Sequence, residues 1–120
     1  MLFRSPTGWK IPTVEDFQNM IAAAGYDVDA IKDPDITTWL PGHAGISQGT
    51  GFDAPAAGYF DSLKARYACI KDRTYFWTIT SGSTEYTAMA AEISYYCPEL
   101  MFTEIPKLSK LSIRCIKIKD

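Results

Sequence analysis

The stretch Gly8-Trp9-Lys10-Ile11-Pro12-Thr13 decides how the fold begins, because it changes from an extended segment to the start of a helix. Alternation puts Trp9 and Ile11 on the same side of a strand. Pro12 ends that strand, since proline has no amide hydrogen to donate to a neighbouring strand. Thr13 then stands where a helix N-cap is expected. The stretch therefore predicts a short extended segment over residues 1–12 that leads directly into a helix.

The residues after Thr13 have the spacing of an amphipathic helix. Asp16 lies three positions after Thr13, which is a capping-box-like arrangement, and its charge favours the positive end of the helix dipole. Apolar residues follow at spacings that place them on one helix face: Phe17, Met20, Ile21 and Ala24. Because Gly25 suits a helix C-terminus, we predict one main helix over residues 14–24.

Residues 26–50 have the composition of a long loop, with aspartate, proline and glycine throughout. Within it, Ala30-Ile31 and Trp39-Leu40 are expected to reach the core as apolar anchors. The loop also raises the alternative of a calcium site, because it holds four aspartates: Asp27, Asp29, Asp33 and Asp35. The alternating oxygen ligands, central glycine and terminal glutamate of an EF-hand are missing. We therefore predict a solvated loop and no metal site.

From residue 51 onward the chain is rich in aromatic and β-branched residues, which favours strands. The predicted strand segments are residues 67–70, 74–80, 86–96, 100–105 and 111–118, with a turn at 71–73. Residues 89–92 are also helix-prone, which weakens the strand prediction there. If Trp77 and Ile79 point into the core, Thr78 and its neighbours Phe76 and Thr80 point the other way. One helix followed by several short strands predicts an α+β fold.

The bulk composition limits the class of protein. A length of 120 residues fits one domain, over residues 1–120, that can bury its own core. A net charge of −2, a pI near 5.3 and no basic block argue against a nucleic-acid partner. No apolar run approaches the roughly 20 residues that cross a bilayer, so we expect no membrane insertion. The first six residues are too short and too quickly polar for a signal peptide.

The three cysteines, Cys69, Cys97 and Cys115, leave at least one thiol unpaired within the chain. Their spacing matches no zinc-binding pattern, and the single histidine, His43, stands in a glycine-rich stretch. We interpret the cysteines as small, buried thiols. A disulfide between Cys69 and Cys97 stays open as an alternative.

Four segments, in order and at fitting distances, resemble the Fibrobacter succinogenes major paralogous domain family. They are residues 5–13 for its Cys-Pro-x-Gly-Trp opening, 51–59 for its Gly-Phe and Pro-Ala-Gly-Tyr segment, 76–80 for its aromatic-Trp strand, and 112–116 for its Ser-Val-Arg-Cys-Val ending. Asp16-Phe17 matches the acidic-aromatic pair of the family's helix. The resemblance spans the chain from Ser5 onward.

The resemblance implies a single C-type lectin-like domain, with one main N-terminal helix packed on short, mostly antiparallel strands and long loops. It also implies that the N- and C-terminal strands lie close together. Family members often have a cysteine where this chain has Ser5, well placed to pair with the C-terminal cysteine, so Cys115 has lost that partner. The Glu-Pro-Asn and Gln-Pro-Asp triplets of calcium-dependent sugar binding do not occur here. We therefore expect calcium-independent binding and no cofactor.

These observations lead to the hypothesis of a non-enzymatic recognition domain on a bacterial surface, secreted, or on a phage particle. Its expected partner is a cell-surface glycan or a protein receptor. Aromatic residues stack on sugar rings and anchor interfaces, and polar neighbours supply hydrogen bonds. The expected ligand-binding residues lie in the region 75–105: Tyr75, Thr78, Thr80, Ser83, Glu85, Tyr86, Tyr95, Tyr96 and Phe102.

Two alternatives stay open. One is a structural virion or fibre component that contacts other virion proteins or associates as a trimer. The other is an enzyme like the formylglycine-generating enzyme, a distant relative within the fold that uses a cysteine pair. Cys97 and Cys115 are not close in sequence, and no Gly-x-Ser-x-Gly motif is present. We predict no catalytic residues and no enzymatic activity.

Overall fold

The computed structural model describes residues 6–46 and 49–117. Within them, one α-helix, a 3₁₀ helix and short antiparallel strands form an α+β fold. Ser5 and the end of the last predicted strand at residue 118 lie outside the described residues.

Helix α1 spans Val14–Ala23 and begins at a complete capping box. Thr13 Oγ1 accepts a hydrogen bond from the amide of Asp16 at 3.0 Å, and Asp16 Oδ2 accepts one from the amide of Thr13 at 2.9 Å. Two amides that the helix leaves without partners are thereby satisfied. The predicted helix and its N-cap are confirmed.

The helix ends in a Schellman motif. Gly25 adopts the left-handed conformation, with φ of 70°, which glycine reaches without steric cost. Its amide donates to the carbonyl of Ala22 at 3.0 Å, and the amide of Tyr26 donates to the carbonyl of Ile21 at 2.8 Å. The chain therefore turns sharply after the helix, and Tyr26 is carried out to the surface.

Strand β1 spans Trp9–Lys10 and pairs antiparallel with β7, Ile116–Lys117, near the other end of the chain. This pairing confirms that the first and last strands lie together. Ile11 is buried as expected, but Trp9 is exposed, so the two residues do not share a core face. Within the described part of the predicted strand 111–118, residues 116–117 form β7, whereas Ser112 bridges to Phe76 instead.

Two short strands form a separate hairpin: β2 spans Tyr59–Asp61 and β3 spans Arg66–Ala68. The segment predicted as residues 67–70 is thus an edge strand that ends early. Cys69 and Lys71 take left-handed backbone angles after it, with φ of 65° and 72°. The predicted turn at 71–73 therefore starts two residues sooner.

The main sheet has the strand order β4-β5-β6. Its strands are β4 at Arg73–Ser81, β5 at Thr87–Ser94 and β6 at Met101–Pro106, all antiparallel. The segment 89–92 lies within β5, so the competing helical interpretation is wrong. The ladder between β4 and β5 shifts register between Trp77 and Ser81, and the Thr78 hydroxyl donates to the carbonyl of Met89 at 2.7 Å within this irregularity.

Both faces of β4 are covered. On one face, Phe76 joins a core with the helix, the long loop and β5: Phe17, Ile21, Val28, Ile31, Trp39, Ala54, Ala56, Ala91 and Ile93. On the other face, Trp77 joins a second core: Tyr75, Ala88, Ala90 and Ile105, with Tyr59, Leu111 and Ile113 packed against it. The expectation that Trp77 and Ile79 share the core side is wrong, because Ile79 is exposed while Phe76 and Thr78 are buried.

The edge of β4 that does not face β5 is also occupied. Two carbonyls of β4 accept from outside the sheet: Arg73 from the amide of Gly58 at 2.9 Å, and Tyr75 from the amide of Ser112 at 3.1 Å. One amide of β4, that of Ile79, donates to the carbonyl of Pro12 at 2.8 Å. Irregular segments from distant parts of the chain thus cover an edge that would otherwise expose unpaired backbone groups.

The long loop after α1 is packed rather than open. It starts with a 3₁₀ helix at Val28–Ala30, and the Trp39 indole donates to the carbonyl of Ala54 at 2.9 Å. Ile31 and Trp39 are fully buried and Ala30 is buried, as expected of apolar anchors, while Leu40 is half-buried.

Two glycines let the loop close on itself. A Cβ on Gly45 would collide with the carbonyl of Lys32, and one on Gly49 would collide with the carbonyl of Ala30. Any side chain at Gly45 or Gly49 would push the backbone at that position away from the backbone of residues 30–32.

The capping box makes a first stability prediction. Thr13→Ala removes the hydroxyl that accepts from Asp16, so we expect the free energy of unfolding to fall by about 1 kcal/mol. Urea denaturation followed by circular dichroism measures it. Thr7→Ala, at an exposed turn residue, is the matched control and should leave stability unchanged. Equal losses in both variants would contradict a specific role for the cap.

The same motif predicts a pH dependence. The hydrogen bond from the Thr13 amide, with help from Lys10, lowers the pKa of Asp16 below its ordinary value of 3.8. A lowered folded-state pKa contributes stability above pH 3.8 that is lost as the pH falls through the folded-state pKa. We therefore expect Asp16→Asn to destabilise the protein at neutral pH and the gap from wild type to shrink below pH 3.8. Denaturant midpoints across this range test it, and a constant gap would contradict it.

Candidate ligand-binding cleft

Three of the nine predicted ligand-binding residues have structural roles. Tyr75 and Thr78 are buried, with only 5% and 0% of their surface exposed, because both faces of β4 are covered. Tyr75 stacks on Tyr59 with ring centroids 4.7 Å apart. Thr80 is partly exposed, but its hydroxyl accepts from the amide of Val14 at 3.0 Å at the start of α1. Tyr75 and Thr78 are therefore withdrawn from the candidate surface.

The other six do not form one surface. Ser83, Glu85 and Tyr86 lie in the turn between β4 and β5, whereas Tyr95 and Tyr96 follow the far end of β5. Eight residues of strand separate the two groups, which corresponds to about 25 Å. Phe102 lies near the start of β6, in the half of the sheet that holds Tyr95 and Tyr96.

The turn between β4 and β5 is held by an internal contact. The Ser83 hydroxyl donates to Glu104 Oε2 at 2.8 Å, and the Ser83 amide donates to the other carboxylate oxygen. These bonds lower the pKa of Glu104. Ser83 thus already has a partner inside the protein, while Glu85 and Tyr86 remain exposed.

Tyr95 and Tyr96 border a cleft of about 240 Å³, which we call the tyrosine cleft. Three separate segments form it: the start of the long loop, its glycine-rich middle, and the chain that leaves β5. The lining residues are Asp27, Val28, Asp29, Lys32, Gly42, His43, Tyr95, Tyr96, Cys97 and Pro98.

Aromatic rings form one wall of the tyrosine cleft in fixed orientations. His43 meets Tyr95 edge to face at 5.5 Å, and Tyr95 meets Tyr96 edge to face at 5.7 Å. The Tyr96 hydroxyl donates to Glu92 Oε2 at 3.0 Å, and the Arg73 guanidinium lies 4.8 Å from the centre of its ring. These contacts orient both tyrosines while leaving 40% and 55% of their surface exposed.

A buried lysine organises the polar side of the cleft. Lys32 Nζ donates to Asp29 Oδ1 at 3.0 Å and to the carbonyl of His43 at 3.3 Å, and it lies 4.9 Å from the centre of the Trp39 ring. A buried ammonium needs such partners, because burial without them is costly. Lys32 thereby ties the loop segment that carries His43 to the segment that carries Asp29.

The carboxylates of the cleft differ in their availability. Asp29 pairs with Lys32 but keeps half of its side-chain surface exposed. Asp27 is exposed and accepts from the amide of Asp29 at 3.0 Å. Ionised carboxylates have room for several hydrogen bonds, so both retain acceptor capacity towards the cleft.

Tyr96 in the cleft, and Tyr75 and Cys69 outside it, have pKa values above their ordinary ranges. The hydrogen bond to Glu92 raises the pKa of Tyr96, so its hydroxyl stays protonated at neutral pH. Burial, followed by the nearby Glu92 carboxylate, raises the pKa of Tyr75. Burial also raises the pKa of Cys69, which is the opposite of the shift that activates a thiol.

Residues 6–46 and 49–117 contain neither a cluster of three candidate metal ligands nor a disulfide bond. No three histidine, cysteine or acidic side chains in that part of the chain come together to hold a metal ion. All three cysteines lie in the described part and are free, so there is no bond between Cys69 and Cys97. No helix in the described segments is long and apolar enough to cross a membrane.

Eight of the ten cleft residues were not predicted as ligand-binding, among them Asp27, Asp29, Lys32 and His43. Asp27 and Asp29 were considered only for a calcium loop, which was not favoured, and His43 was noted only as the single histidine, in a glycine-rich stretch that matches no zinc pattern. No local pattern links them to Tyr95, which is more than fifty positions later in the sequence. The only sequence feature that indicated this cleft was the adjacent tyrosine pair, Tyr95 and Tyr96.

A family model for the Fibrobacter succinogenes major domain matches residues 2–117. The chain belongs to this family. The family membership that four sequence segments predicted is thereby confirmed, and the match covers nearly the whole of this Fibrobacter succinogenes major domain. No curated protein and no solved structure gives a significant match to it.

Proposed function

We propose that this Fibrobacter succinogenes major domain is a non-enzymatic recognition domain that binds a glycan in the tyrosine cleft. The observation that carries the proposal is the fixed, exposed pair Tyr95 and Tyr96 beside the acceptors Asp27 and Asp29. A bacterial surface or a phage particle is the setting that we propose for it.

The chemistry of the cleft suits a sugar. A sugar ring has an apolar C–H face and a rim of hydroxyls, so it needs a flat apolar platform next to hydrogen-bonding groups. The rings of Tyr95 and Tyr96 stand edge to face, so each offers its own ring face as a platform, and the carboxylates of Asp27 and Asp29 accept from hydroxyls. Because Glu92, Arg73 and His43 already hold the rings, little side-chain entropy is lost on binding.

We propose that this binding needs no calcium. Asp29 is already paired with the Lys32 ammonium. A divalent cation there would face a positive charge 3.0 Å from one of its ligands. Direct hydrogen bonds to the sugar are therefore the proposed mode of recognition.

We also propose that the architecture is C-type lectin-like. The antiparallel pairing of β1 with β7, the helix between β1 and the long loop, and the mainly antiparallel sheets support this proposal. In such a fold, loops carried by a fixed scaffold hold the ligand, which agrees with a cleft built from the long loop and the chain after β5. Superposition of an experimental structure of this chain on known C-type lectin domains would test it.

Alanine substitution tests the cleft directly. We expect Tyr95→Ala and Tyr96→Ala each to weaken binding to a glycan panel by at least about tenfold, because each removes a stacking face. Bead-multimerised protein with and without a chelator provides the measurement, and binding should survive chelation. Tyr86→Ala, an exposed tyrosine at the opposite end of β5, is the matched control.

Thermal denaturation of each variant separates binding from folding. Loss of folding in the Tyr95 and Tyr96 variants, or equal loss of binding in the Tyr86 variant, would contradict the cleft. The absence of glycan binding by the wild-type protein would contradict the proposed function itself.

A second candidate function, a structural component that contacts neighbouring subunits, is favoured by one exposed apolar pair. Leu63 and Leu108 have 82% and 83% of their surface exposed. They flank Ser62 and Ser109, whose hydroxyls are hydrogen-bonded at 3.0 Å, so the two leucines belong to one surface region. Exposed apolar clusters of this kind mark contact surfaces.

Sedimentation tests this second candidate. If the leucine pair forms a subunit contact, the wild-type protein should form an oligomer such as a trimer, and the double variant Leu63→Ser/Leu108→Ser should sediment as a monomer. Ile36→Ser, at an equally exposed apolar residue of the long loop, is the control. A wild-type protein that is monomeric at all concentrations would contradict the structural function.

A further inference from the structure

A second, larger cavity is lined in part by residues that are adjacent in sequence to those of the tyrosine cleft. Its volume is about 700 Å³, and it lies between the outer side of α1 and the chain that enters β6. We call it the helix groove. Its lining includes Gln18, Ala22, Tyr26, Glu99, Leu100 and Phe102.

On two segments, the residues that line the two cavities are consecutive in sequence. On one wall, Tyr26 lines the helix groove and the next residue, Asp27, lines the tyrosine cleft. On the other wall, Glu99 lines the helix groove and the preceding Pro98 lines the tyrosine cleft. Consecutive α-carbons are about 3.8 Å apart, so the cavities are neighbours along both segments.

We propose that the tyrosine cleft and the helix groove form one continuous site for an unbranched, uncharged oligosaccharide, an inference that rests on the proposed glycan-binding function. The tyrosine cleft holds one sugar ring, and the helix groove holds the units that follow. Tyr26, at the junction, determines the preference for chains over single sugars.

The volumes support a chain as the ligand. Sites for ligands of ordinary drug size measure roughly 300–1,000 Å³. The tyrosine cleft, at about 240 Å³, falls below that range, whereas the helix groove, at about 700 Å³, lies well within it. A ligand confined to the cleft would leave the larger cavity empty, and a chain fills both.

The charges of the lining argue against an anionic chain. The charged side chains of the two cavities are Asp27, Asp29, Lys32 and Glu99, and Lys32 is already paired with Asp29. The remaining field is negative, so it repels polyanions such as nucleic acids and acidic polysaccharides. The amides of Gln18 and Asn19 offer both donors and acceptors, which suits hydroxyl groups.

The side chain of Tyr26 is exposed at the border of the helix groove, although its backbone belongs to the Schellman motif that ends α1. Its φ of 61° is an unfavourable backbone conformation for a bulky side chain, and the bond from its amide to Ile21 holds it there. Its side chain is 74% exposed, so burial does not compensate for this strain. An exposed aromatic side chain that borders a cavity, on a backbone held by the end of the helix, is well placed to contact a ligand.

The test measures how the binding affinity depends on oligosaccharide length, in the wild-type protein and in variants. Unbranched oligomers of glucose, mannose, xylose, galactose and N-acetylglucosamine, each from the single sugar upward, are titrated by NMR against the wild-type protein. We expect affinity for the longer oligomers of the bound series to exceed that for its single sugar by at least about tenfold. A basic peptide and an acidic polysaccharide are titrated in parallel.

Tyr26→Asn removes the ring at a position where asparagine tolerates the left-handed conformation. We expect it to weaken binding of the longer oligomers by at least about fivefold, to leave single-sugar affinity within about twofold, and to keep the thermal midpoint of wild type. Tyr67→Asn, a similarly exposed tyrosine on β3, should change nothing.

The outcomes separate this inference from the function on which it rests. Equal affinity for single sugars and long oligomers, or unchanged oligomer binding in Tyr26→Asn, overturns the continuous site while leaving glycan binding in the cleft. Tighter binding of the basic peptide or the acidic polysaccharide overturns the choice of an uncharged chain. Failure of every sugar series to bind overturns both proposals.

Discussion

The structure depends on the burial of β4 from every side. Phe76 packs towards the helix, Trp77 packs towards the opposite layer, β5 pairs along one edge, and irregular segments bond to the other edge. Since apolar burial is the main favourable term in folding, this strand is where the layers gain their stability. The helix, the long loop and the end of the chain are held in place because each contacts the same strand.

Local chemistry made part of this fold predictable. The capping residues and apolar spacing of α1 predicted its position, since a helix start depends on residues within one turn of each other. The two faces of β4 were less predictable. An alternating pattern implies one buried face, but the run from Tyr75 to Thr78 is apolar or hydrogen-bonded throughout because both faces are covered. Burial of that kind depends on distant segments such as Ser112, which local sequence does not reveal.

The candidate site was predictable only in one respect, the adjacent exposed tyrosines after β5. A sequence window from 75 to 105 looked like one surface, but an antiparallel hairpin sends its turn and its open end in opposite directions. Tyr86 and Tyr95 are therefore close in sequence and far apart in space. The reverse holds for His43 and Tyr95, which meet at 5.5 Å because the long loop folds back across the sheet.

The closing of that loop at Gly45 and Gly49 has a consequence for how such a domain can diversify. The wall that carries His43 is positioned by backbone-to-backbone contact. Its position therefore depends on the absence of a side chain at Gly45 and at Gly49. Positions 27, 43, 95 and 96 can then vary in chemistry without moving the wall, whereas a single added methyl at either glycine would shift it. A library of variants with positions 27, 43, 95 and 96 randomised, and with Gly45 and Gly49 kept, would therefore yield new ligand preferences.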